Sequence, residues 1–259
     1  MKIMNINEYR ELVHKETSNF EVSRAINTIK DWLKNYTTYS GMRKAVIGIS
    51  GGKDSTIVAK LLVDVLGKEN VVGLLMPNGE QKDLNDSLRV VELLGIKHEI
   101  VNIEEGYWAI IKSLGGLKNV SAESQINIAP RIRMTTLYTY GQTHGCRVAG
   151  TGNLSERTVG YTTKFGDNAS DFNIIGEFTS LEVMRIGEEL GLPLDLVYKT
   201  PADGLSGQSD EDRLGVTYIE LHKYLRGRSK ELSVETFNKV NRMENYSMHK
   251  QCVVPVVHW

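Results

Sequence analysis

The sequence predicts an α/β fold, an open, mostly parallel sheet with helices on both faces. Three observations carry this expectation. Short runs that are apolar throughout suit strands buried on both sides. Those runs alternate with longer helical stretches at the spacing of strand–helix–strand units. No repeat, low-complexity tract or composition shift marks a linker, and 259 residues at roughly 150 per domain are one or two domains. We expect a single domain over residues 1–259, with N-terminal helices over about 5–40, an α/β nucleotide-binding core over about 44–200, and a helical part over about 205–259.

Asn7 to Tyr39 reads as one or two amphipathic helices, with Ile26, Ile29, Trp32, Leu33 and Tyr36 on one face. Core packing is the simplest use of that stripe, and a subunit interface is the alternative. Ala45 to Ile49 is the first strand, and Ser55 to Leu66 is a helix whose Thr56, Lys60 and Asp64 form one solvated stripe. Val71 to Met76 is a second strand. His98 to Ile103 and Arg147 to Gly150 are weaker strand signals. Asp83 to Leu94 and Gln125 to Thr143 read as helices. Thr179 with Glu182 and Thr217 with Glu220 have the spacing of capping boxes, and the two helices they open close near Gly191-Leu192-Pro193 and Gly227.

Composition excludes several classes of function. Lys and Arg total 31 against 32 for Asp and Glu, a net charge of −1. Nucleic-acid binders show a basic excess, so no nucleic-acid partner is expected. The polar start and the lack of an apolar run of about 18 residues point to no secretory signal and no membrane partner. Cys146 and Cys252 match no metal spacing and read as two reduced core thiols of a cytoplasmic protein.

The chemistry concentrates in Gly48-Ile49-Ser50-Gly51-Gly52-Lys53-Asp54-Ser55, between the first strand and its helix. Backbone amides there, with the helix N-terminus, form an anion site. The spacing fails the Walker A pattern, because Ile47 stands where its first Gly should be and Asp54 follows Lys53. It also lacks the Gly-x-Gly-x-x-Gly of dinucleotide folds. What remains is a phosphate loop with a carboxylate inside it. An acid would repel phosphate unless a cation intervened, so Asp54 reads as a Mg²⁺ ligand facing the leaving pyrophosphate.

This loop resembles that of the ATP pyrophosphatases, a Rossmann-like superfamily that cleaves ATP between the α and β phosphates. Further blocks narrow the resemblance: Gly150-Thr151-Gly152-Asn153-Leu154-Ser155-Glu156, Gly160 to Asp167, Gly207 to Glu211, and Leu214 to Tyr218. Together, from about Asn19 onward, they resemble the NAD synthetase family in order and spacing. The resemblance implies amidation of deamido-NAD to NAD by ammonia, with ATP as co-substrate and Mg²⁺ as cofactor. An acyl-adenylate forms on the way, and AMP and pyrophosphate are released. It also implies roles for individual positions. Gly48 to Ser55, Thr151, Ser180 and Ala202 match ATP contacts, although at Ser180 many relatives have Lys and at Ala202 Ser or Thr. Asp54 and Glu156 match the metal carboxylates. Arg131, Lys164, Asp171, His249 and Lys250 match deamido-NAD contacts, and Arg133 offers the same guanidinium two residues beyond Arg131. Asp203 to Asp212 matches a mobile loop that orders over the site.

A homodimer is expected by the same resemblance. With the phosphate loop at Gly48 and family blocks occupying most of the rest, an appended glutaminase domain has no room, so free ammonia is the expected nitrogen source. Two alternatives remain open: another ATP pyrophosphatase, such as a tRNA-modifying ligase, or a non-catalytic adenine-nucleotide binder.

Overall fold

The computed structural model describes residues 5–80, 84–198, 210–252 and 254–257. Two helices, α1 (Ile6–Glu16) and α2 (Val22–Ser40), precede strand β1 (Lys44–Gly48). Then come α3 (Lys53–Leu66), β2 (Val71–Leu75), α4 (Leu84–Leu94), β3 (Lys97–Ile100), α5 (Glu104–Ser113), α6 (Ala122–Ile126), α7 (Ile128–His144), β4 (Cys146–Gly150), α8 (Leu154–Val159) and β5 (Phe172–Asn173). The remainder is helical: α9 (Ser180–Glu189), α10 (Leu194–Val197), α11 (Asp210–Leu214), α12 (Tyr218–Leu225) and α13 (Val234–Gln251).

The five strands are parallel, in the order β3-β2-β1-β4-β5. The chain therefore winds outward from β1 in one direction and then returns to add β4 on its other side. The crevice between β1 and β4 is the switch point at which such sheets bind ligands. Alternation along the strands sends side chains to two cores. Ala45 and Ile47 face α2, α3 and α9, whereas Val46, Val72, Leu74 and Val148 face α7. Gly141 lets α7 lie this close, since a Cβ there would stand 2.9 Å from the Cys146 carbonyl oxygen.

The sheet and its two helical layers match the expected class, and both capping boxes form as their spacing predicts. Several details differ. The stretch read as one helix over Gln125 to Thr143 is two helices, interrupted at Asn127. Thr56 is buried rather than solvated, because its hydroxyl donates to the Gly52 carbonyl at 2.7 Å. Asp64 pairs with Lys60 on its own helix and with Lys30 of α2 instead of forming part of a plain solvated stripe. Of the predicted apolar face on α2, Ile26, Ile29 and Leu33 are buried, while Trp32 is exposed and stacks on Tyr36. Cys146 is buried as expected, but Cys252 is exposed at the end of α13 and is no core thiol.

Candidate nucleotide and substrate site

The loop between β1 and α3 sits at the carboxyl end of a central strand. Ile49 extends the ladder by donating to the Leu74 carbonyl at 2.9 Å and buries its side chain in the core. The loop then turns through Gly51 at φ +73°, a conformation that costs glycine little. Two hydroxyls hold the turn together. Ser50 Oγ and Ser55 Oγ are 3.2 Å apart, the Ser50 amide donates to Ser55 Oγ, and the Gly52 amide donates to Ser50 Oγ. Helix α3 begins with Gly52 as its N-cap and has no side-chain cap, so its first-turn N–H groups are left for an anion.

Lys53 and Asp54 form an ion pair at 2.7 Å. The lysine is buried, with its ammonium 5.5 Å from the centre of the Tyr218 ring. Burial alone would depress its pKa, but the charges of Asp54, Glu156 and Asp210 outweigh burial and hold it above the ordinary value.

The β4–α8 junction brings the second carboxylate. Asn153 caps α8: its side chain accepts from the Glu156 amide at 3.1 Å, and the Glu156 carboxylate accepts from the Asn153 amide at 3.3 Å. The same Asn153 donates through Nδ2 to Asp54 Oδ1 at 3.3 Å. One fully buried residue therefore ties the phosphate loop to the Glu156 turn. Burial and then the neighbouring Asp54 raise the Glu156 pKa well above the usual carboxylate range, partly offset by Lys53. Asp210, at the start of α11, is buried and accepts from Tyr161 at 3.0 Å and Tyr218 at 3.3 Å.

The other expected positions divide into groups. Thr151 follows β4 at the same strand ends. Ser180 is buried, with its amide donating to Ser155 Oγ and its own hydroxyl lacking a hydrogen-bond partner, so its side chain is not open to a ligand here. Ala202 lies outside the described residues, as does the part of the expected mobile loop before Asp210; from Asp210 onward that stretch is helical. Arg131, Lys164 and His249 come together: Arg131 donates to the Lys164 carbonyl at 3.3 Å, and Lys164 Nζ is 3.5 Å from His249 Nδ1. The Lys164 ammonium also sits over the exposed Phe165 ring, a residue held at φ +58°. Lys250 spends its ammonium on the carbonyls of Gly160 and Thr162 at 2.6 and 2.7 Å, pinning the loop that carries Lys164. Asp171 stands apart from that group, accepting from the Val148 amide at 2.8 Å and lining a cavity of about 380 Å³ with Tyr138 and Arg147.

Sequence reasoning did not single out Asn153, Asp210, Tyr161 or Tyr218 as site residues. The Asn-x-x-Glu capping spacing was a usable signal for Asn153. No local pattern brings Asp210 to Tyr161, 49 positions away.

A parallel α/β sheet with an uncapped helix, two glycines and a carboxylate at its switch point defines a nucleotide-binding protein. Comparison with known proteins narrows this further. The family model described as NAD synthase matches residues 25–254. An NH(3)-dependent NAD(+) synthetase of Methanococcoides burtonii is 39% identical over 209 residues, 80% of each chain. One from Archaeoglobus fulgidus is 36% identical over 244 residues, 92% of this chain and 97% of that one. The solved structure of NMN synthetase from Francisella tularensis superposes with a TM-score of 0.86 at 32% identity, covering 93% of this chain and 100% of that chain. The chain belongs to the NAD synthase family.

Proposed function

We propose that the chain catalyses the ATP-dependent amidation of deamido-NAD to NAD with ammonia. One observation carries this reading: Asn153 bonds both Asp54, inside the phosphate loop, and the Glu156 turn at the neighbouring strand end, bringing the two carboxylate-bearing segments together. The nicotinate carboxylate oxygen attacks the α-phosphorus of ATP, the bond from that phosphorus to the bridging oxygen breaks, and pyrophosphate leaves with the electron pair. Ammonia then attacks the acyl carbon, the acyl C–O bond breaks, AMP leaves, and the nitrogen sheds a proton. The protein's part is to position the reactants and neutralise charge.

In this reading the open N-terminus of α3 and the amides of Ser50 to Lys53 receive phosphate oxygens. Buried Lys53 supplies a fixed positive charge beside them. The donor set suits Mg²⁺, which binds through one or two carboxylates together with substrate phosphates. Asp54, Glu156 and Asp210 all act on the buried Lys53 ammonium, and beyond the effect of burial Asp54 and Glu156 crowd each other enough to raise the Glu156 pKa, a repulsion that a cation would relieve. Among the described residues, no cluster of three or more His, Cys, Asp or Glu side chains could by itself hold a metal. Asp54 and Glu156 would therefore be its protein ligands, and the ion would supply charge neutralisation at the departing pyrophosphate. Arg131 and Lys164, with the His249 ring beside them, form the basic rim that suits the deamido-NAD end.

A homodimer is part of the proposal. Exposed Trp108, Ile110, Leu114 and Leu117, beside a groove of about 550 Å³ along α7, supply an apolar face for a second copy. Among the described residues no helix is long and apolar enough to cross a membrane.

The likeness to an NMN synthetase favours one second reading, in which the acid amidated is a mononucleotide. The purified chain is given ATP, Mg²⁺ and either deamido-NAD or nicotinate mononucleotide, with ammonium or glutamine as nitrogen source. NAD formation from deamido-NAD and ammonium at the higher kcat/KM is expected. Preference for the mononucleotide establishes the second reading, and turnover of neither acid refutes both.

A further inference from the structure

Glu156 lies in the first turn of α8, and the start of that short helix is docked against the start of α9. The Leu154 amide donates to the Phe178 carbonyl at 2.8 Å, and the Ser180 amide donates to Ser155 Oγ at 3.1 Å. Asn153, Ser155, Thr179 and Ser180 are all fully buried. Away from water, such bonds hold the two helix starts in one arrangement.

Thr179, the N-cap of α9, is held in turn from α12. Its hydroxyl lies 2.8 Å from Nδ1 of His222, a buried residue to which the proposed reaction gives no part. The Thr179 oxygen already accepts from the Glu182 amide at 3.4 Å, so its own hydrogen goes to the ring. Nδ1 is then the acceptor, and Nε2 carries the ring hydrogen toward the Glu16 backbone. Burial, helped by Arg226 and Arg228, pulls the His222 pKa below its ordinary value against the charge of Glu182, and the ring stays neutral. Arg226 adds a second tie, donating through Nε to Glu182 at 2.7 Å and through Nη2 to the Glu177 carbonyl at 3.0 Å.

The first residue of the same helix reaches the site directly. Tyr218 stands one turn before His222 on the same face, with its hydroxyl on Asp210 and its ring beside the Lys53 ammonium. Helix α12 therefore touches the cleft at two points, through Tyr218 at Lys53 and through His222 at the turn that carries Glu156. An apolar side chain would fill the same space, whereas a fully paired imidazole also fixes direction.

We propose that His222 is a positioning residue for the Glu156 carboxylate, acting through Thr179, Ser180 and Ser155. Its role rests on the reaction proposed above, in which Glu156 binds Mg²⁺.

The test uses the full chain with His222→Leu, His222→Asn, Ser155→Ala and the double variant of His222→Leu with Ser155→Ala. Glu188→Gln, in the last turn of α9, is the control for stability. Electron paramagnetic resonance measures Mn²⁺ affinity beside an ATP analogue with a methylene bridge between the α and β phosphorus atoms. Steady-state NAD formation gives kcat and KM, and thermal melts give Tm. His222→Leu and Ser155→Ala are each expected to weaken Mn²⁺ binding about tenfold. In both, kcat falls in step while KM for deamido-NAD stays within about twofold of wild type. His222→Asn places an amide oxygen where Nδ1 stood and is expected to recover most of the loss. The double variant is expected to stay within about twofold of the weaker-binding single variant, because both changes break one relay. Glu188→Gln is expected to lower Tm and leave Mn²⁺ affinity unchanged. If His222→Leu does not fold, His222→Gln, whose amide falls at the Nε2 position, takes its place with the same expected loss. Wild-type Mn²⁺ affinity in the folded variant overturns the proposal, as do losses that multiply in the double variant. An equal loss from Glu188→Gln overturns it too, and so does His222→Asn binding no better than His222→Leu. Wild-type chain that binds Mn²⁺ with the analogue but forms no NAD refutes the reaction while leaving the relay readable from affinity; wild-type chain that binds no Mn²⁺ overturns both.

Discussion

Asn153 does two jobs that substitution can separate. Its Oδ1 caps α8, and its Nδ2 holds Asp54 at 3.3 Å. Asn153→Ala removes both. Loss of the cap costs about 1 kcal/mol, which in a chain of this size lowers Tm by about 2–4 °C. Asn153→Ser keeps a good capping oxygen on a shorter side chain and loses the amide that reaches Asp54. Its Tm is expected to stay within about 2 °C of wild type. A hydrogen bond to a charged group is worth about 1.5–3 kcal/mol, and the long distance here puts this one at the low end. Lost in the transition state, that is roughly a tenfold fall in kcat/KM. Steady-state NAD formation and thermal melts on the three proteins test the reasoning. Wild-type turnover by Asn153→Ser would refute the idea that the amide positions Asp54, and a Tm as low as that of Asn153→Ala would refute the assignment of the cap.

Three further outcomes are expected. Asp54→Asn should lower turnover by at least about a hundredfold and remain folded by circular dichroism, because Glu156 and Asp210 still offset the buried Lys53 charge. Gly141→Ala places a methyl group 2.9 Å from the Cys146 carbonyl and should destabilise by about 1–3 kcal/mol, read as a lower denaturant midpoint. The Glu188 carboxylate, despite burial, is drawn from 4.5 to about 2 by Arg10, Tyr198 and His14. Because its pKa is lower in the folded state than in the unfolded, its stabilisation is complete above pH 4.5 and declines as pH falls toward 2. The Tm difference between wild type and Glu188→Gln should therefore shrink below pH 4.5, and a constant difference from pH 7 to 2.5 would contradict this.

Features confined to neighbouring residues were legible in the sequence. The loop between β1 and α3 is contiguous, so its glycines, its paired hydroxyls and the helix start behind it could be read in order, and the capping boxes at Thr179 and Thr217 are set by spacing alone. Strand β5 was not legible, since two residues, Phe172 and Asn173, carry no periodicity. The break at Asn127 was hidden because α6 and α7 both continue a helical pattern. Thr56 looked solvated because its type says nothing of the Gly52 carbonyl that satisfies its hydroxyl. At the site, the joining of Asp54 to Glu156 through Asn153 and the seating of Asp210 between Tyr161 and Tyr218 are tertiary contacts between distant segments. That Arg131 turns to the Lys164 carbonyl and Arg133 to the Met76 carbonyl is likewise set by tertiary contacts.

The most direct test of the central claim follows the fate of ATP. With deamido-NAD, Mg²⁺ and ammonium present, the account predicts AMP and pyrophosphate, each formed one for one with NAD. Release of ADP and inorganic phosphate in step with NAD would contradict adenylation, and with it the role given to Asp54 beside the departing pyrophosphate.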